Sequence, residues 1–223
     1  KIVTALITAG GDPNAKDEDE NTPLDLANSN GHTGICEALR NANHNVKKQN
    51  CHKLIGAIQT GNFTLVNRLL SSGEIDINGV DIDGRTGLHW AVVSHQDEDQ
   101  KLAIVTVLLE NGANPNIPIK KALNPNDRDI GKTPLCYAAS CGHTEVCRLL
   151  ISKAKMTEKA LLEEALLPVP VGDSDQFFPF NLAAVNGHKA VCEFFIDKAQ
   201  DHHIDVNAFL NKENKFGYTP LSL

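Results

Sequence analysis

The sequence predicts an all-α fold, a solenoid of stacked helix-turn-helix units joined by short hairpin-like fingers. The main observation is a string that recurs along the chain: TPLDLANSNGH begins at Thr22, TGLHWAVVSH at Thr86 and TPLCYAASCGH at Thr133. Weaker copies are FPFNLAAVNGH from Phe178 and TPLSL from Thr219. A string that returns at intervals of a few tens of residues is typical of stacked repeats, in which each unit buries its apolar face against its neighbours.

The copy at Thr133 shows why each unit is expected to contain two helices. Threonine is a favourable helix N-cap and proline suits the first helical position, so Thr133 and Pro134 predict a helix start. Gly142 predicts the end of that helix, and a second apolar stripe begins after His143. Turn-forming residues, such as those at 112–116, predict a finger before the next unit begins.

The repeats divide the chain into units of about 33 residues, several of them lengthened. The second unit lacks the threonine-proline start, but His52 to Asn62 keeps leucine, alanine and glycine at the usual spacing. Because the first residues match the closing half of a unit, we expect the chain to be a piece of a longer protein. The predicted units are residues 1–16 (partial), 17–46, 47–80 (degenerate), 81–127, 128–172, 173–213 (divergent) and 214–223 (the start of a further unit).

Three added segments interrupt the period. Residues 96–100 (QDEDQ) are predicted to lie between the two helices of the third unit, and residues 117–130 (IPIKKALNPNDRDI) lengthen the finger that follows it. Apolar residues at helical spacing predict an extra helix near 157–167, which either packs against the stack or faces a partner. Surface loops tolerate added residues at little cost, so the long finger is either a neutral insertion or a partner-binding loop.

Charge favours the partner-binding interpretation of the long finger. The chain has 21 Lys and Arg against 28 Asp and Glu, a net charge of -7, which argues against a general attraction to nucleic acid or to anionic membranes. The long finger differs from the rest of this acidic chain because it holds a cluster of basic residues: Lys120, Lys121, Arg128 and Lys132. A basic finger on an acidic chain predicts a protein partner with an acidic patch.

The cysteines indicate a reducing environment. Cys36, Cys147 and Cys192 each follow the glycine of their repeat by five residues, and the same position holds Val66 and Val105 in the other units. A position shared by cysteine and valine is a core position, where a free thiol acts as a small apolar group. We therefore expect an intracellular setting, cytoplasmic or nuclear.

The sequence predicts no catalytic residue, cofactor, metal site or small-molecule substrate. Cys136 would lie in the first turn of a helix, where the helix dipole can activate a thiol. Its nearest histidine, His143, would lie ~10 Å further along that helix, too far for a nucleophile and its base. Cys136 and Cys141 would be ~140° apart around the helix, so they cannot bind one zinc ion from the same face.

The recurring string resembles the ankyrin repeat, whose unit reads roughly DxxGxTPLHxAAxxGHxxIVxxLLxxGADxN. The resemblance covers nearly the whole chain. The histidine of this pattern is present only as His89; Asp25, Cys136, Asn181 and Ser222 replace it, and we expect a weaker hydrogen bond at those helix starts. The resemblance implies an elongated protein-interaction scaffold whose fingers and first helices line a concave binding face.

The resemblance also implies which positions face a partner: those in the finger, the one before the TPLH string and those just before the glycine. In this chain they are Ile82, Asp83, Arg85, Val93, Ser94, Asp129, Ile130, Lys132, Ser140, Cys141, Val185 and Asn186. Two other roles stay open. In the first, the array is a targeting module of a multidomain enzyme, or of a secreted effector of an intracellular bacterium that acts in the host cytoplasm. In the second, the array is a spacer without a partner.

Overall fold

The computed structural model describes residues 2–94, 97–120, 129–153 and 179–211. The predicted helix near 157–167 and the predicted start of a further unit at 214–223 lie outside these residues. The described helices are α1 (Ile2–Thr8), α2 (Pro23–Ser29), α3 (Thr33–Gln59), α4 (Phe63–Ser71), α5 (Gly87–Val93), α6 (Glu98–Glu110), α7 (Pro134–Cys141), α8 (Thr144–Lys153), α9 (Pro179–Val185), α10 (Lys189–Asp201) and α11 (Val206–Leu210).

Two rows of helices form the main body. Helices α5, α7 and α9 pack side by side, and α4, α6, α8 and α10 form a second row, with each helix packed against its neighbour. One apolar core extends through both rows, from Leu54 in α3 to Ala199 in α10. This arrangement confirms the predicted all-α solenoid of helix-turn-helix units.

The helices begin and end where the recurring string predicts. Helix α7 has Thr133 as its N-cap and ends at Gly142, whose φ of 78° lies in the left-handed region. Helix α2 has Thr22 as its N-cap, and the Oδ2 atom of Asp25 accepts hydrogen bonds from the Thr22 N–H at 2.9 Å and from its hydroxyl at 2.6 Å. The carboxylate replaces the missing histidine, so the expected weakening of this helix start is wrong for α2.

The glycine that ends α7 also lies against the next unit. A Cβ at Gly142 would be 2.5 Å from His188 Nδ1, whereas Gly187, with a φ of 74°, has open space around it. We expect Gly142→Ala to lower the free energy of unfolding by about 2 kcal/mol and Gly187→Ala by about 1 kcal/mol, because both strain the backbone but only the first creates a clash. Urea unfolding measures both, and equal losses would contradict the clash.

Helix α3 is the main departure from the regular pattern. It continues from the second helix of the first unit into the first helix of the second unit and crosses the predicted boundary at 46/47. In the third unit, Gly112 and Pro115 end the equivalent helix and begin the finger, but aligned positions in α3 hold Asn43 and Val46. Without a glycine C-cap or a proline, nothing ends the helix, and 27 residues span about 40 Å.

The long helix separates the first unit from the main core. At its N-terminal end Cys36 and Leu39 pack with Ala27 in a small separate core, while at its C-terminal end Leu54 and Ile58 belong to the main core. Between Leu39 and Cys51 no residue of α3 is buried. The first and second units thus share one continuous helix but have separate cores, whereas the later units share a single core.

The inserted segment 96–100 is partly helical. Asp97 Oδ1 accepts a hydrogen bond from the Gln100 N–H at 2.8 Å, and α6 begins at Glu98. The prediction that all five residues lie between the helices is therefore wrong for Glu98 to Gln100, which form the first turn of α6. An aspartate N-cap followed by acidic residues suits the positive end of a helix dipole and explains the extension.

Candidate protein-binding surface

Two fingers lie next to each other before α5 and α7. The first is closed by an antiparallel bridge between Val80 and Thr86. The long finger is closed one unit later, where the Ile119 N–H donates to the Lys132 carbonyl at 3.0 Å and the Gly131 N–H donates to the Ile119 carbonyl at 2.8 Å. Ile119 is buried. The long finger therefore has a hydrogen-bonded base, formed by Ile119 together with Gly131 and Lys132.

A network of charges joins the two finger bases. Arg85 Nη2 donates to Asp129 Oδ2 at 2.6 Å, and Lys132 Nζ donates to Asp129 Oδ1 at 2.8 Å. Asp83 lies on the other side of the Arg85 guanidinium, with 3.9 Å between Nη1 and Oδ2. Burial alone would raise the pKa of Asp129, but hydrogen bonds from Lys132 and Arg85 lower it to about 2. Four predicted partner-binding residues thus contact each other.

Sequence analysis missed the aromatic residues behind this network. The Arg85 guanidinium lies 5.3 Å from the centre of the Trp90 ring, and Lys132 Nζ lies 5.6 Å from the centre of the Tyr137 ring. Trp90 Nε1 also donates to Asp81 Oδ2 at 2.6 Å. Each pair joins the residue before the threonine cap to the fourth helical residue, a spacing at which apolar pairs also pack. Because the same spacing of a basic and an aromatic residue occurs in two successive units, it could have been used to predict these contacts from the sequence.

The link between the fingers should contribute to stability. We expect a double-mutant cycle of Arg85→Ala and Asp129→Ala to give a coupling of about 1 kcal/mol in urea unfolding, more than a typical exposed pair, because both side chains are only 21% exposed. The coupling should fall at high salt. The exposed pair of Lys16 and Glu20 provides the control. A coupling energy no larger than that of the control pair would show that the Arg85 to Asp129 link does not contribute to stability beyond an ordinary surface pair.

The remaining predicted positions differ in exposure. Ile82, at the tip of the first finger, is 65% exposed and Val185 is 55% exposed. Lys120, Cys141 and Asn186 are exposed, and Val93, Ser94, Ile130 and Ser140 are half-buried. Asn186 Nδ2 donates to Ser140 Oγ at 3.3 Å, which brings these two positions of neighbouring units together. Lys121 and Arg128 lie outside the described residues.

A second polar cluster joins the extended α6 to α8. Lys101 is only 4% exposed, and its Nζ donates to His143 Nε2 at 2.7 Å. Glu98 Oε2 lies 3.1 Å from His143 Nδ1. Burial and the Lys101 charge lower the pKa of His143, against the opposite effect of Glu98. The inserted acidic turn is thus used to hold one unit against the next.

The environment of Cys136 does not activate its thiol. All six are free; Cys36 and Cys147 are buried as predicted, and Cys192 is half-buried. Burial raises the pKa of Cys136 and disfavours the thiolate that a nucleophile requires. Within the described ranges, no group of three His, Cys, Asp or Glu side chains is arranged to bind a metal ion.

The stacked helix pairs, the separate fingers and the core shared between units define a helical repeat protein. A family model for ankyrin repeats matches residues 1–81, 45–119 and 117–208. The chain belongs to the ankyrin-repeat family. Ankyrin repeats generally mediate protein–protein interactions, and the repeats themselves are not catalytic. Of the helices that the structure describes, none is long and apolar enough to cross a membrane.

The chain is similar to proteins of very different size. It is 31% identical over 156 residues to the ankyrin repeat protein YahD of Escherichia coli, which covers 67% of this chain and 72% of that protein. It is 41% identical over 69 residues to palmitoyltransferase AKR1 of Debaryomyces hansenii, covering 30% of this chain but 8% of the enzyme. A channel homologue of Caenorhabditis elegans, transient receptor potential subfamily A member 1, is 29% identical over 192 residues, or 82% of this chain and 13% of its own length.

Proposed function

We propose that this chain is a protein-interaction scaffold that binds an acidic region of a partner through the long finger at 117–130 and the concave face beside it. The observation that supports the proposal most directly is the Arg85 to Asp129 link of 2.6 Å, which fixes the base of the basic finger beside the first finger. The tip of that first finger presents Ile82, 65% exposed. A binding surface with an apolar centre and a charged rim has this composition.

The network divides the predicted residues by role. Arg85, Asp129 and Lys132 are occupied within the chain, so their part in binding is to orient the fingers. Lys120, Lys121 and Arg128 carry the charges proposed to meet the acidic partner. The free thiols support a reducing intracellular compartment as its location, and neither nucleic acid, nor a membrane, nor a small-molecule substrate is part of the proposal.

Affinity capture from an extract of the source cells, with quantitative mass spectrometry, tests the proposal. The triple variant K120Q/K121Q/R128Q and a variant in which an asparagine-glycine turn replaces residues 120–128 should lose the partner that the wild-type chain retains. The second variant keeps Ile119 and Asp129, so the finger base stays closed. The matched control K16Q/K153Q/K189Q removes three positive charges at exposed positions elsewhere in the chain. Equal capture by all four proteins would refute the role of the finger.

A second proposal concerns the full-length protein. We propose that the array is the targeting module of a multidomain enzyme or of a secreted bacterial effector, with catalysis encoded outside this sequence. The match to 8% of a palmitoyltransferase and to 14% of a glycerophosphocholine phosphodiesterase of Candida albicans supports this arrangement, because in both cases most of the enzyme lies outside the match. Sequencing the complete gene tests it, and an open reading frame encoding repeats alone would refute it.

A further inference from the structure

The middle of α3 carries a row of exposed basic side chains. Arg40, His44, Lys47 and Lys48 follow one another at helical spacings that place them within about 100° around the axis. Glu37 is the only acidic residue of α3. No ion pair between described residues includes Arg40, Lys47 or Lys48. This row is a local positive surface in a chain with a net charge of -7.

A groove lies beside this row. Its volume is 470 Å³; one wall is formed by His44, Lys47 and Lys48 of α3, and the other by the segment from Ile75 to Val80. Cys51, which is buried, lies at the base of the groove. The groove exists because α3 continues where the regular pattern would place a finger, so that the helix itself faces the next finger.

The two walls are held in place by close contacts. Asn50 Nδ2 donates to the Glu74 carbonyl at 3.0 Å, which ties the start of the finger segment to α3. A Cβ at Gly79 would lie 2.7 Å from Cys51 Sγ, so this position requires glycine for the segment to approach the helix. The shape of the groove is therefore fixed by contacts within the fold, and no residue of the long finger contributes to it.

We propose that this groove binds an acidic peptide segment of a partner protein, with an apolar residue of that segment placed against Val80. The cationic wall provides charge complementarity to carboxylates, and Val80 is 45% exposed on the opposite wall. Asp76 is the carboxylate within the groove, and its Oδ1 already accepts the Asn78 N–H at 3.2 Å. The groove shares no lining residue with the surface proposed above, although Val80 belongs to the first finger.

A protein partner fits this groove better than a nucleic acid or a membrane. A nucleic-acid backbone or a lipid surface extends well beyond a groove of this size and would meet the rest of an acidic chain. The exposed segment Asp17 to Glu20 (DEDE) adds to that repulsion. A short acidic segment, in contrast, can contact the basic row alone.

Fluorescence anisotropy at low salt tests the proposal on the 223-residue chain. The probe is a fluorescein-labelled peptide of glutamates around a central leucine, and the comparison peptide has glutamines instead. We expect the glutamate peptide to bind, and K47Q/K48Q to weaken its binding about tenfold, because each partly solvated charge contributes a few-fold. The control K53Q/R68Q, which removes two exposed charges outside the groove, should bind as the wild type does.

The other outcomes are also decisive. Binding that is unchanged in K47Q/K48Q but lost in K120Q/K121Q/R128Q would overturn the groove proposal and support the finger instead. Equal binding of the glutamine peptide would show that charge does not determine recognition and would also overturn it. The groove proposal fails as well if oligothymidine or phosphatidylserine vesicles bind through Lys47 and Lys48 and the glutamate peptide does not. Circular dichroism of each variant confirms that α3 remains folded.

Discussion

Acidification from pH 6.5 towards 4 is expected to lower the free energy of unfolding by about 3 kcal/mol through one residue, His89. Burial lowers the pKa of His89 from 6.5 to about 4, and the positive charge of Arg85 acts in the same direction against the Lys132 carbonyl and nearby aspartates. Between these two pH values the unfolded chain therefore binds a proton at His89 that the folded chain does not bind. The stabilisation is complete above the unfolded pKa and is lost as the pH falls towards the folded pKa.

The hydrogen bonds of His89 explain why the folded state requires the neutral ring. Nδ1 accepts the Thr86 N–H at 3.1 Å, and Nε2–H donates to the Lys132 carbonyl at 3.3 Å. A proton on Nδ1 would face the Thr86 N–H and remove the helix cap. Lowering of the His143 pKa adds to the acid sensitivity.

Urea unfolding across this pH range measures the effect. The fifth unit has Asn181 at the position of His89, so His89→Asn is the replacement that the chain itself suggests. This variant should be less stable at neutral pH but should lose about 3 kcal/mol less on acidification. His52→Asn, at an exposed position, is the control. Parallel pH profiles for the wild type and His89→Asn would show that another group controls the acid sensitivity.

The units could be predicted from the sequence because their signals are local. An N-cap threonine, a glycine that tolerates positive φ and apolar residues at helical spacing lie within a few residues of one another, and Thr133 and Gly142 cap α7 as that pattern requires. Helix α3 shows the limit of this approach. This helix is long because Asn43 and Val46 stand where another unit has the glycine and the proline that end the helix. The absence of such a boundary is visible only when the units are aligned position by position.

The candidate surface was less predictable because its contacts join distant parts of the chain. Position within the repeat identified Arg85, Asp129 and Lys132 as surface residues, and they do lie at the fingers. Arg85 and Asp129 are 44 positions apart, so their pairing depends on the stacking of two units and on the length of the finger between them. Sequence position alone could not show that these side chains are used within the chain.

Breaking α3 should produce the other large effect. Val46→Pro removes a backbone hydrogen bond and places a ring against the preceding turn, at a cost of about 3 kcal/mol in a helix interior. The first unit has a core of three buried residues, Ala27, Cys36 and Leu39, and depends on α3 for its support. The main core begins only at Leu54, beyond the break. We therefore expect residues 2–45 to unfold while the units from α4 to α10 stay folded.

Amide hydrogen exchange separates this result from a general loss of stability. In Val46→Pro, protection should disappear from α1, α2 and the first half of α3 but persist in α4 to α10, and thermal unfolding should show two transitions. Val46→Ala is the matched control, because it removes most of the same side chain and keeps the helix. A single transition, shifted equally in both variants, would mean that the first unit and the main stack unfold together and that α3 transmits stability along its whole length.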